Sequence, residues 1–533
     1  MDLTLQNFDQ YKEKIDHTPS YDIKKLRDDS IKDPKWLAFG SGNIFRGFIA
    51  RVGQDMIESG KFDRGISVVE TFDTEIIDRI YKPYDNLALS VTLHKDGNFD
   101  TNLIANLAEA LTLADKDRIK EIALNKNLEL MSFTITEKGY NLYASNGELM
   151  DVVKADMEGD PKDAKHLMSI VTNLLYERYK DSKAPLTLLS LDNASHNGDL
   201  VKKSVMMIGQ AWKDNGKVDE GFIDYLNNDI SFPLSMIDKI TPRPADVVKD
   251  YVEELGFTNM DTVITGKNTY IAPFVNSEEA EYLVIEDNFK NGRPPFEEGG
   301  VYMADRDTVN NVETMKVTTC LNPLHTTLAT YGCILDYQSI AEEMKDEELV
   351  KLIKKIGYEE GLPVVINPGI INPQDFIDEV INIRLPNPYM PDTPQRIATD
   401  TSQKMSVRFG QTIKGYMNDE GKDAASLTYI PLAIAGWLRY LMAIDDKGNE
   451  FELSPDPLMD ELEEIFSSMK LGEIEDISAI KELLSNEKIF GVNLIEADLD
   501  DKIIKFFREL SAGPGAVRAT LEKYLNYRKE ICL

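Results

Sequence analysis

The stretch Met315-Lys316-Val317-Thr318-Thr319-Cys320-Leu321-Asn322-Pro323-Leu324-His325 sets an amine, a carboxamide and an imidazole into an otherwise apolar or β-branched context. Polar groups in such surroundings need partners or a task. Asn322 and His325 are three residues apart, and Asn before Pro suits an N-cap followed by the first helical position, which puts both side chains near one helix end. Lys316 lies six residues earlier, within reach of the same point. Oxidising a secondary alcohol requires a base for the hydroxyl proton while hydride leaves the carbon, and the reverse direction uses the same group as an acid. A lysine whose charged form is disfavoured by partial burial or neighbouring cations fills that role near neutral pH. An Asn amide stabilises the developing alkoxide without moving a proton. Each residue alone has an ordinary reading as a surface lysine, a capping Asn or a satisfied core His. Their concurrence points to catalysis.

A second chemical signal lies near the N-terminus. The apolar run at residues 36–39 meets Gly40-Ser41-Gly42-Asn43 and continues into Ile44-Phe45-Arg46-Gly47-Phe48-Ile49-Ala50, whose apolar spacing suits a helix. A G-x-G turn between strand and helix lets the backbone approach a pyrophosphate, while the helix amides and dipole stabilise its charge. Phe45 occupies the place of the usual third glycine, and a lone G-x-G is also an ordinary tight turn. Glu70 ends a second strand, where a carboxylate can accept hydrogen bonds from the adenosine ribose and disfavour the extra phosphate of NADP. The pair therefore predicts NAD, with Gly40, Gly42, Asn43, Phe45, Arg46 and Glu70 as cofactor-binding residues.

These groups must be positioned by a chain of 533 residues, long enough for two or three domains. Further β-rich runs at 87–93, 128–135 and 186–191 alternate with helical stretches and predict an α/β, Rossmann-like domain with a largely parallel sheet. Beyond Gly292-Arg293-Pro294-Pro295 the character turns helical, at residues 323–337, 347–356, 427–444 and 503–527. The predicted organisation is a Rossmann-like domain over 1–290 and a mainly helical substrate-binding and catalytic domain over 291–533. The acidic stretch 445–501 reads as a solvated face or peripheral insertion.

Lys plus Arg number 59 against 92 Asp plus Glu, a formal charge of −33, which excludes nucleic acid as an expected partner. An anionic ligand must then be received by a local basic cluster. Cys320, Cys333 and Cys532 have no C-x-x-C spacing, and the five histidines form no H-E-x-x-H or H-x-H group, so neither a disulfide framework nor a metal is expected. The polar opening MDLTLQNFDQYKEKID and the lack of a long apolar run lead us to expect a cytoplasmic protein without membrane contact. Both monomer and homodimer fit the sequence.

Several separated blocks over residues 36–445 resemble the polyol-specific long-chain dehydrogenases, the mannitol dehydrogenase family. Gly40 to Arg46 is similar to the family's cofactor turn, which also carries an aromatic residue in place of the third glycine. Thr134-Ile135-Thr136-Glu137-Lys138-Gly139-Tyr140, Leu191-Asp192-Asn193-Ala194-Ser195-His196-Asn197-Gly198, Phe232-Pro233-Leu234-Ser235-Met236-Ile237-Asp238-Lys239-Ile240-Thr241-Pro242 and Val284-Ile285-Glu286-Asp287 follow in the family's order. The resemblance implies Lys316 as general acid/base, Asn193 and Asn322 polarising the reacting oxygen, His325 orienting the substrate and Asp238 near the site. The family spacing is K-x4-N, whereas five residues separate Lys316 from Asn322 here. One added residue rotates the lysine by about 100° on a helix or flips its face on a strand, unless a local bulge absorbs it.

Arg384-Leu385-Pro386-Asn387-Pro388 and the segment from Arg396 to Lys404 resemble the family's C-terminal substrate region. Arg396 and Lys404 are eight residues apart, about two helical turns, and could clasp a sugar-acid carboxylate; salt bridges to Asp392 and Asp400 are the ordinary alternative. The Lys316 to His325 block looks most like members that interconvert D-fructuronate and D-mannonate, with mannitol/fructose and tagaturonate chemistry as rivals. An NAD-retaining epimerase and a non-catalytic sugar-binding protein use the same parts and stay open.

Overall fold

The alternation Trp36-Leu37-Ala38-Phe39 is apolar on both faces, the composition of a strand that must be covered on both sides. In the computed structural model, which describes residues 1–467, 469–474 and 476–526, it forms β1 (Trp36–Phe39) at the middle of a six-stranded parallel sheet. With β2 (Ile66–Glu70), β3 (Leu107–Thr112), β4 (Leu130–Phe133), β5 (Leu186–Ser190) and β6 (Ile230–Ser231), the spatial order is β3-β2-β1-β4-β5-β6, every pairing parallel. Successive β1 side chains point to opposite faces. Trp36 and Ala38 pack with Phe45, Phe48 and Met56 on one side. Leu37 and Phe39 pack with Met131, Leu188 and the helix Leu167–Asp181 on the other.

The chain order reverses direction at β1, because β2 lies on one side of it and β4 on the other. Ligands of open α/β sheets bind beyond the carboxyl ends of the strands at such a point. Phe39 pairs with Val69 and with Phe133, so the turns after β1, β2 and β4 emerge at one level. The apolar run at 87–93 forms a strand, Ala88–Leu93, of a separate three-stranded sheet with Phe99–Ile104 and Phe274–Glu278. A third sheet joins Ser235–Asp238, Tyr282–Glu286 and Tyr302–Ala304.

The chain divides into two compact units, Met1–Asn310 and Asn311–Leu533. The second is helical. Its helix Asn322–Ile334 is apolar nearly all round and buried along most of its length, as a central helix must be. It crosses the equally buried Tyr429–Tyr440, where the Tyr331 hydroxyl donates to the Leu432 carbonyl at 2.9 Å and Gly436 leaves room for the Tyr331 ring. Glu360 caps this second helix by accepting from the amides of Thr428, Tyr429 and Ile430.

The acidic stretch 445–501 differs from the solvated face expected. Leu462, Phe466, Ile480, Leu484 and Phe490 are buried, so its helices are amphipathic and only their outer faces are solvated. The helical run expected at 503–527 is two helices, Asp500–Leu510 and Ala516–Leu525, parted by Gly515 at φ 78°. Tyr527 and Cys532 lie outside the described residues. Among the described residues no helix is long and apolar enough to cross a membrane.

Candidate active site

In the first unit the candidate cofactor site begins at the turn after β1. Gly40 has φ 100°, and a Cβ there would lie 2.2 Å from the Thr134 carbonyl oxygen, so only glycine lets β1 end this close to the end of β4. Gly42 differs: a Cβ on it would meet no atom of the chain within 4 Å. The chain itself does not require a bare backbone there; a phosphate brought close to it would. The helix that follows starts at Asn43, widens into a π turn at Phe45–Ile49 and continues as α-helix over Ala50–Glu58. Phe45, in the third-glycine place, is fully buried within that turn.

Arg46 is buried beneath the turn. Its Nη1 donates to the Ala272 carbonyl at 2.8 Å and its Nη2 to Asn43 Oδ1 at 3.0 Å, while Nε has no partner. Burial lowers its pKa to about 10, still a cation at neutral pH. A helix N-terminus, an open glycine and a buried guanidinium together suit a pyrophosphate.

Glu70 ends β2, but its carboxylate is already engaged by the chain. Oε1 accepts from the amides of Thr71 (3.0 Å), Phe72 (2.8 Å) and Asp73 (2.9 Å). Oε2 accepts from the Ser41 amide at 3.2 Å and from the Ser41 hydroxyl. Glu70 thus ties the glycine turn to the end of β2, a position sequence reasoning had reserved for the ribose hydroxyls.

Asn193 is exposed on the loop after β5. Asp192 anchors that loop by accepting from the Ile135 and Thr136 amides and the Tyr140 hydroxyl. Asp238 ends the strand Ser235–Asp238 and is buried. Asn197 joins the two: its Nδ2 donates to the Asp192 carbonyl at 3.0 Å and to Ser235 Oγ at 2.9 Å. Sequence reasoning gave Asn197 no role; its burial is the signal that distinguishes it.

In the second unit Lys316 opens a π turn, Lys316–Cys320, closed by the Leu321 amide donating to the Lys316 carbonyl at 3.1 Å. A π turn holds one more residue than an α turn. The extra residue between Lys316 and Asn322 therefore sits in a bulge inside a helical segment. Leu321, at φ −125° and ψ −61°, carries the break and is the N-cap, and the next helix begins at Asn322 with Pro323 second, so it starts one residue earlier than the N-cap reading placed it. Lys316 is 5% exposed.

His325, on the first turn of that helix, is neutral: burial, then Arg408, Arg384, Arg396 and Lys404 in that order, push its pKa down to about 3. Its Nε2 lies 3.5 Å from an Asp392 carboxylate oxygen and has no closer partner. Asp392 also pairs with Arg396. Arg408, from another π turn, Ser406–Gly410, donates to the Thr326 hydroxyl. Burial lowers its pKa to about 10. Lys404 donates to the Thr399 carbonyl and shares this electrostatic neighbourhood with Arg408 and Arg396.

Arg396 and Lys404 do not share one helix. They sit on Pro394–Ala398 and Thr401–Met405, parted by Asp400 at φ 54°, and it is this break that folds them back toward His325. Arg384 lay in the block likened to the substrate region but was given no role, and Arg408 was not singled out, although its place four residues past Lys404 is a helical spacing. Among the described residues no group of three or more His, Cys, Asp or Glu side chains is placed to hold a metal ion.

Comparison with known proteins agrees with this architecture. Residues 34–298 match the mannitol dehydrogenase Rossmann domain and residues 308–510 the mannitol dehydrogenase C-terminal domain. A protein of Thermotoga maritima named D-mannonate oxidoreductase is 52% identical over 96% of each chain. An Escherichia coli protein of the same name is 26% identical over 92% of this chain and 95% of its own. In fold, the chain is similar to a D-sorbitol dehydrogenase, with TM-score 0.80 and 24% identity over 98% of this chain and 100% of that one. It is similar also to Pseudomonas fluorescens mannitol 2-dehydrogenase, with TM-score 0.70 and 23% identity over 99% and 100%. On these matches along nearly its whole length, the chain belongs to the mannitol dehydrogenase family.

Proposed function

We propose that this chain is a cytoplasmic, NAD-dependent dehydrogenase that interconverts D-mannonate and D-fructuronate at a secondary carbinol carbon. The observation that carries the reading is the group of Arg384, Arg396, Lys404 and Arg408 around a neutral His325, in a chain of net charge −33. So acidic a protein repels a sugar-acid anion over most of its surface and receives it where cations are concentrated. Arginine suits that end because its planar fork can bond both carboxylate oxygens. The name of the Thermotoga maritima relative supports the same substrate.

The nicotinamide coenzyme, when bound, gives or takes the hydride. Gly40, Gly42, Asn43 and Arg46 would hold its pyrophosphate, with Phe45 fixing the helix behind them. In the reductive direction the Lys316 ammonium donates its proton to the carbonyl oxygen as the C–H bond forms; in the oxidative direction the amine takes the hydroxyl proton. The Asn193 and Asn322 amides donate to that oxygen and stabilise its developing charge. His325, neutral over the working pH range, orients a substrate hydroxyl without competing for the proton, and Asp238 assists proton movement. Arg396 and Lys404 hold the carboxylate.

The test is NADH consumption against D-fructuronate, D-tagaturonate and D-fructose in parallel. D-fructuronate should be turned over fastest. Preference for D-fructose would replace the sugar acid by a polyol/ketose pair, and no turnover of any of the three would overturn the oxidoreductase reading.

A further inference from the structure

Phe72 is 68% exposed, more than any other large apolar side chain among the described residues. It stands two residues past Glu70, just beyond the carboxyl end of β2, and its amide is fixed by Glu70 Oε1 at 2.8 Å. The Lys267 ammonium lies 5.0 Å from the centre of its ring. Lys267 comes from the loop between the short strands Val263–Ile264 and Tyr270–Ile271, and that loop is docked onto the segment after β2 at two points. The Thr265 hydroxyl donates to Asp73 at 2.5 Å, and the Gly266 amide donates to Glu75 at 2.9 Å.

The docked loop thus holds a cation at an aromatic ring whose flat apolar face is open to solvent. The adenosine half of a dinucleotide leaves the turn after β1 and lies across the end of β2. A flat aromatic there stacks on a base.

The local charges complete the picture. Glu70, the carboxylate that would repel a ribose phosphate, is buried with both oxygens taken by Ser41, Thr71, Phe72 and Asp73. Asp73 is buried against Thr265. Glu75 pairs with Arg79 at 3.5 Å and Asp78 with Lys82 at 2.7 Å. Lys267 is exposed and makes no ion pair among the described residues. The free charge beside Phe72 is therefore positive.

We propose that Phe72 and Lys267 form the coenzyme's adenosine seat, the ring stacking on adenine and the ammonium facing the ribose 2′ edge, so that the seat admits NADP as well as NAD. The inference rests on the dinucleotide-dependent reaction proposed above, and deepens it by naming what selects the coenzyme. Glu70 is in this account a positioning residue for the glycine turn.

The experiment titrates the full-length protein with NADH and with NADPH by the change in dihydronicotinamide fluorescence, in the parent and in Phe72→Ala, Lys267→Glu and Glu70→Gln, with melting temperature as the folding control. The parent should bind both coenzymes. Phe72→Ala should weaken both by about tenfold or more. Lys267→Glu should weaken NADPH about a hundredfold while changing NADH little. Glu70→Gln should weaken both alike. A parent that binds NADH but not NADPH, a Lys267→Glu protein that loses neither, or a Glu70→Gln protein that gains NADPH selectively would each overturn the inference and leave the dehydrogenase reading standing. Binding of neither coenzyme by the folded parent would overturn both.

Discussion

The turn after β1 and the cluster around His325 are both suited to negative charge, and by opposite means. The turn offers backbone: a glycine pressed against Thr134, a second glycine facing open space, a helix end, and one guanidinium buried below. The cluster offers side chains: Arg384, Arg396, Lys404 and Arg408 gathered from short helices and π turns around one neutral imidazole. A backbone site is read by shape and tolerates no added atom. A side-chain site is read by charge and can be retuned one residue at a time, as a family of related substrates requires.

The largest effect should come from a residue belonging to neither anion site. Lys316→Ala is expected to lower turnover about a thousandfold while NADH binding is retained; a separate binding titration checks the second half, and near-parental turnover would remove Lys316 from the chemistry. The two glycines divide the backbone site. Gly40→Ala forces both a positive φ and a clash, and should cost about 2–3 kcal/mol of stability in urea denaturation. Gly42→Ala should leave the denaturation midpoint unchanged and raise the KM for NADH about tenfold, so equal behaviour of the pair would erase the distinction between packing glycine and ligand glycine.

Charge should dominate the other site. Arg408→Leu is expected to raise the KM for an anionic sugar acid by about ten- to a hundredfold and to leave a neutral ketose nearly unaffected; equal losses on both would mean that Arg408 only braces Thr326. The smallest effect is on stability against pH. The folded pKa of His325, about 3, lies below its ordinary value of 6.5, so between these values the unfolded chain binds the proton and the folded chain does not. The stabilisation is full above pH about 6.5 and is lost as pH falls toward 3. His325→Gln should flatten that part of the urea-midpoint profile, and an unchanged slope would show that His325 is protonated in place.

The strand, glycine turn and helix at residues 36–50 were legible because the apolar run and the glycine spacing are local signals. The strand Leu107–Thr112 was not, since Leu-Ala-Glu-Ala-Leu is built from good helix formers and becomes a strand only by pairing with β2. Lys316, Asn322 and His325 stood out as polar groups in apolar company. The engagement of Glu70 could not be read, because four backbone amides, of Ser41 and Thr71 to Asp73, meet it together with the Ser41 hydroxyl. Nor could the reversal at Asp400, a non-glycine residue at positive φ, which gathers Arg396 and Lys404 by breaking the helix their spacing suggests.

The wide turn at Lys316–Cys320 works as a slack link. A helix can hold a supernumerary residue there without passing the displacement to either flank, since Leu321 takes up the break and the next helix starts afresh at Asn322. Length at this point is thus uncoupled from register, and excision of a single residue between Val317 and Cys320 would tighten the coil to its ordinary pitch while the amine before it and the imidazole after it kept their stations.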